Sequence, residues 1–414
     1  MGIKHVKAAV QGLTDKLSDE QFLSASGMTA RGIRMLMNRE YWETHMAGMF
    51  PVRRRFTCAE IYDLCAEPLD LLGREPEGGW MSYTYKYVCH ILYPEDDFTA
   101  GSAPYATGCL FYLTVLQFFF EEERKVLPWD KYYDFAFLSP EEAASFESSE
   151  EYGRFLHYFR REYVYEMMRL GLEVTPFRAL EHISGVHYVA MHVARGLYAA
   201  GVPIDLTLVS GAAAGHDIGK FGCKPNEKVP YLHYYYTDQW FGRHNMDYIG
   251  HIAANHSTWD LEPENLTVES LVLIYSDFRV KQSRGKDNKE ITFISSLKDA
   301  FDVILNKLDN VDEKKLLRYK FVYERLRDFE EYMKSMGADT DLDGKTERPA
   351  PMPELTLRNA EESVRTLVHM GVEHNINVMH LMSAERQFGN FLESARSEKD
   401  WSMGLVGFRL ELLL

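Results

Sequence analysis

Residues 208–221 read LVSGAAAGHDIGKF, and this run decides the fold class. Its first half is apolar and made of small residues, Gly211, Ala212, Ala213, Ala214 and Gly215, the composition of a helix packed closely on its neighbours. Such a helix carries the adjacent His216 and Asp217 into the interior. A carboxylate there is costly unless it is paired or bound to a cation. The run therefore ties a helical core to a candidate metal site.

Outward from this run, apolar residues recur at helical spacings. Ile61, Leu64, Leu69 and Leu72 do so, and Ser18, three residues before Gln21, has the form of an N-cap. Ser139 followed by Pro140 predicts another helix start. From it Phe155, Phe159, Tyr163, Met167 and Leu170 continue one stripe. Residues 312–336 carry the clearest amphipathic pattern, with Leu316, Val322, Leu326, Phe329 and Met333 on one face. The most hydrophobic run, residues 109–120 (CLFYLTVLQFFF), falls short of the roughly 20 residues that span a bilayer and reads as a buried core helix. Strand-like alternation is not evident, and the expected fold class is all-α. Residues 337–353 (GADTDLDGKTERPAPMP) break the pattern and read as a linker. Asp339, Asp341, Asp343 and Gly344 match half of a calcium loop, but its twelfth position is Ala350 rather than Glu, so a solvated acidic loop is the better reading. The expected organisation is an N-terminal helical region (1–172), a metal-binding catalytic domain (173–336), the linker (337–353) and a C-terminal helical region (354–414).

Composition narrows the function. Sixty-two acidic against 46 basic side chains give a formal charge of -16, which opposes binding to nucleic acid or to an anionic membrane. The five cysteines are scattered and form no C-x-x-C pair, which excludes a zinc ribbon or a readable disulfide framework. The first residues lack the apolar core of a secretory leader, and Val6 departs from the myristoylation pattern; the cytoplasm is the expected location.

Eight of the 15 histidines fall between His182 and His256: these two with His187, His192, His216, His233, His244 and His251. Imidazole is the commonest transition-metal ligand. A His upstream, the run His216-Asp217-Ile218-Gly219-Lys220 and further His and Asp downstream together resemble the HD-domain superfamily of metal-dependent phosphohydrolases. That resemblance covers less than a quarter of the chain.

The resemblance implies a helical HD-domain bundle holding one or two divalent ions (Mn, Fe, Ni, Zn or Mg) through His182, His216, Asp217, His244, His256 and Asp277. His182 is preferred to His187 because Val186, Ala190, Val193 and Leu197 then form the buried stripe. His251 is the reserve for His244 or His256, and Asp260 is the lesser candidate beside Asp277. Asp217 is expected to bridge two ions, with Lys220 and Arg279 as catalytic phosphate contacts. The aromatic run from Tyr231 through Tyr234, Tyr235, Tyr236, Trp240 and Phe241 offers either a wall for a nucleobase or ordinary packing. The implied activity is that of a phosphomonoesterase or phosphodiesterase (EC 3.1) acting on a nucleotide or related small phosphate ester. The Gly-Tyr-Pro signature of the cyclic-di-GMP-degrading subgroup is absent after His256. An HD-fold di-iron oxygenase and a non-catalytic nucleotide-sensing or scaffolding protein are the alternatives, and the flanking helices offer surface to a second copy or a protein partner.

Overall fold

The computed structural model describes residues 2–52, 54–93, 98, 103–126, 137–174, 179–223, 229–256, 266–284, 290–307 and 313–342. Over these residues the protein is all-α, and its single sheet is a two-stranded hairpin. The chain divides into two compact units, one drawn from Met1–Asp130 and His157–Leu180, the other from Lys131–Leu156 and Glu181–Leu414. Arg53, Asp260, the acidic loop beyond Asp341 and Leu342, and the helices expected after residue 353 lie outside the described residues.

The first unit is built around Ala103–Val126, on which Gly2–Leu17, Glu20–Ser26, Cys58–Leu72, Gly79–Leu92 and Val164–Val174 pack. Cys109, Phe111, Leu113, Val115, Leu116, Phe119 and Phe120 are fully buried there. A helix apolar on all sides needs such a surround. Among the described residues it is the one helix long and apolar enough to cross a membrane. Asp19, rather than Ser18, caps Glu20–Ser26, accepting from the Gln21 N–H. The stripe expected to run unbroken from Phe155 to Leu170 is divided instead between Ser149–Arg161 and Val164–Val174, because Tyr163 adopts a left-handed backbone (φ 58°).

Two buried carboxylates of this unit differ in their partners. Glu123 accepts from Arg169 Nη1 (3.1 Å) and from the Phe56 N–H (2.7 Å), and Arg169 Nη2 donates to the Phe56 carbonyl. Glu166 is 2% exposed, and its Oε2 has no hydrogen-bond partner. Burial pushes its carboxyl up to about 7, against the pull of Arg124. The folded state therefore binds this proton more tightly than the unfolded chain, and stability falls as pH rises from about 4.5 through about 7. Glu166→Gln removes that cost. We expect the variant to gain up to about 3 kcal/mol over wild type at pH 8 and little at pH 4. Thermal melts at both pH values check this, and a pH-independent difference would contradict it.

In the second unit Asp205 caps the doublet helix Leu206–Gly215, accepting from the N–H groups of Thr207 and Leu208. This helix packs on Asp247–Ala254 and Val268–Arg279. A Cβ on Gly215 would lie 2.6 Å from Phe241 Cζ, so only glycine allows this approach. Val268–Arg279 runs into the hairpin, in which Val280–Arg284 pairs antiparallel with Glu290–Ile294, Gln282 opposite Thr292. These strands are too short for their alternation to stand out in the sequence. Arg279 locks the junction: Nε donates to the Ser295 carbonyl (2.7 Å), and Nη1 to Tyr275 Oη (2.7 Å) and the Thr340 carbonyl (2.9 Å).

Candidate metal centre

Five elements of the second unit converge on Asp217. His182 lies near the start of Ala179–Ala199. His216 and Asp217 follow the doublet helix directly and precede the short 3-10 turn Ile218–Gly222. His233 comes from Val229–Arg243, His256 from just beyond Asp247–Ala254, and Asp277 from Val268–Arg279. Asp217, His216, His233 and His256 are buried.

The ligand atoms form two groups that share one carboxylate. In the first, His182 Nε2 and His216 Nε2 lie 3.4 Å apart and 3.5 and 3.6 Å from Asp217 Oδ2. Asp277 Oδ1 joins this group, 2.9 Å from His182 Nε2 and 3.8 Å from His216 Nε2. In the second, His233 Nε2 and His256 Nε2 are 3.4 Å apart, each 3.7 Å from Asp217 Oδ1. His182, His216 and Asp217, and again Asp217, His233 and His256, are close enough to hold a metal ion.

The protonation pattern suits that use. His216 Nδ1 is 2.8 Å from the Ala213 carbonyl and His256 Nδ1 2.7 Å from the Ala253 carbonyl. A carbonyl only accepts, so each Nδ1 carries the proton and each Nε2 turns a lone pair inward. Burial drives the His216 pKa down to about 3, keeping it neutral. Burial opposes ionisation of Asp217, but the charge of Lys220 leads the effects that outweigh it and hold the carboxyl well below its usual range. Asp277 is likewise held low, burial being outweighed first by the hydrogen bond from His182. Lys220 Nζ pairs with Asp217 Oδ2, whereas the buried Oδ1 accepts no hydrogen bond. An orphaned carboxylate oxygen facing two imidazole nitrogens fits a cation.

Not every expected residue is brought here. His244 follows the end of Val229–Arg243, donates from Nδ1 to the Trp240 carbonyl (2.6 Å) and packs on the Trp240 ring. Its place is taken by His233, near the start of that helix. Pro230, at the second helical position, is the sequence signal for this start. Arg279 is committed to the hairpin junction, and its guanidinium is not available to a phosphate. His187 is buried against Ser210 Oγ (3.1 Å), and His251 is exposed. Of the aromatic run, the side chain of Tyr231 lies outside the described residues, and Tyr235, Tyr236, Trp240 and Phe241 are core residues; half-buried Tyr234 lies against both His233 and His256 (ring centroids 3.8 and 5.1 Å). Elemental analysis should therefore show His233→Ala losing about one equivalent of metal and His244→Ala losing none. The reverse pattern would reinstate His244 as the ligand.

Compared with protein-family models, curated proteins and solved structures, the chain matches none.

Proposed function

We propose that the chain is a metal-dependent phosphohydrolase of the HD type, a phosphomonoesterase or phosphodiesterase acting on a nucleotide or related small phosphate ester. The observation that supports this most is the sharing of Asp217 between two groups of ligand atoms, with one carboxylate oxygen turned to each. That arrangement suits two divalent ions bridged by one residue. Imidazole-rich donors with carboxylate favour Mn, Fe, Ni or Zn over Mg. Ions held there would supply Lewis acidity, making water acidic near neutral pH and offsetting charge on phosphoryl oxygens.

The residues divide the remaining work. His182, His216, His233 and His256 supply imidazole nitrogen donors, and Asp217 and Asp277 the negative charge. Lys220, with its side chain 27% exposed beside Asp217, is the cation suited to an anionic substrate at the edge of the cluster. Tyr234 offers an aromatic edge to a nucleoside at the His233 side.

The test is elemental analysis of protein purified without chelator. It is followed by turnover of p-nitrophenyl phosphate, its bis ester and a panel of nucleotides on chelator-treated protein reloaded with each ion. Phosphate or alcohol release that depends on the ion supports the reading. Iron with substrate-dependent oxygen uptake would replace it by an oxygenase, and nucleotide binding without turnover by a sensor.

A further inference from the structure

The two ligand groups meet at a junction that neither makes by itself. The doublet stands at the C-terminal end of its helix, where carbonyls lack intrahelical partners. The His216 carbonyl finds one in Thr237, whose Oγ1 donates to it at 3.1 Å. The same Oγ1 accepts from the Gly219 N–H, also at 3.1 Å, so one fully buried hydroxyl closes both sides of the turn that presents Asp217. Thr237 lies four residues after His233, hence on the same face of Val229–Arg243. The approach is as close as backbones allow: a Cβ on Gly219 would fall 1.8 Å from the His233 carbonyl oxygen and 2.4 Å from the Thr237 nitrogen.

We infer that Thr237, with the bare backbone of Gly219, is a positioning residue that sets the distance between the halves of the metal centre and so governs the second ion selectively. The inference rests on the reading that the cluster binds metal. His182, His216 and Asp217 come from Ala179–Ala199 and the doublet, and do not span the Thr237 junction. Asp217 and His233 stand on opposite sides of it. Loosening the junction therefore spares the first group and spreads the second, whose members must stay within a few ångströms to share an ion.

The experiment titrates Mn²⁺ into the metal-free 414-residue chain, with elemental analysis after gel filtration and a thermal melt of each variant. Wild type should bind two ions. Thr237→Val keeps the volume but removes the hydroxyl, and should retain one ion at wild-type affinity while binding the other roughly 10- to 100-fold more weakly. Thr237→Ser should restore the second ion. Gly219→Ala, which wedges the same junction apart, should repeat the selective loss if Thr237→Val fails to fold. Two ions at unchanged affinity in Thr237→Val, or equal weakening of both with a lowered melting temperature, would overturn the inference. A wild type binding one ion would overturn it while leaving the metal reading intact, and a wild type binding none would defeat that reading itself.

Discussion

Asp217→Asn is expected to empty the His233–His256 half of the centre, to weaken the half that retains Asp277 and, on the phosphohydrolase reading, to lower phosphate release by about 10³-fold or more. Asp217 is the only residue common to the two ligand groups, and without it each imidazole pair loses its shared carboxylate. His233 and His256 then have no carboxylate to hold a divalent ion, and His182 and His216 keep only Asp277. Several kcal/mol of charge stabilisation then vanishes from the reaction, and each 1.4 kcal/mol is a factor of ten in rate. The substitution keeps the side chain's shape and frees Lys220 toward water, so the fold should persist. A readout independent of substrate is available: ions that bind only the folded state stabilise it by mass action, by about 2.7 kcal/mol per site at a hundredfold excess over Kd, and so raise the melting temperature. Wild type should show that rise on adding Mn²⁺ or Zn²⁺, and Asp217→Asn should lose at least the share of one site. An Asn variant that keeps both the rise and the turnover would remove Asp217 from the centre.

The largest expected loss of stability lies in the other unit, at Glu123→Ala. The Glu123 side chain is 4% exposed and Arg169 11%, and the Arg169 guanidinium also lies over the Phe120 ring at 3.6 Å. Removing the carboxylate strands a buried cation and leaves the Phe56 N–H without its acceptor. Breaking a buried pair from one side costs about 3–5 kcal/mol. In a unit of this size that lowers the melting temperature by about 10 °C. The double variant Glu123→Leu with Arg169→Met should lose less than the two single changes together, since no charge is then left unpaired. Additive losses in a thermal-denaturation cycle would show that the two side chains act separately.

The parts of the molecule that could be read from the sequence are those set by neighbours along the chain. The small-residue helix before His216, the capping box at Ser139 and Glu142 and the buried helix around residues 109–120 each follow from a few consecutive residues. Asp277 was accessible in the same way, at the end of an apolar helical run. His233 was not, because its assignment depends on where one helix begins. Placing that start near residue 244 instead of Val229 moves the expected ligand from one end of the helix to the other. Arg279 lies beside Asp277 in the chain and has the chemistry of a phosphate contact. Only the return of the backbone at Ser295 and Thr340 determines that its guanidinium serves the fold. The turn at Tyr163 carries no glycine or proline to announce it, so a continuous stripe was the natural local reading.

The Arg279 clamp also bears on the order in which the protein can be made. Its acceptor at Thr340 lies 61 residues downstream, and Ala338 packs against Gly196, where a Cβ would come within 3.0 Å. A nascent chain whose last emerged residue is Met336 has already exposed every ligand of the centre. It still lacks the segment that fixes the end of the Asp277 helix. On the metal-binding reading, ions met at that stage would find the helix of Asp277 not yet clamped by Thr340. A fragment cut at 336, where the helical pattern stops, would lack the same clamp permanently.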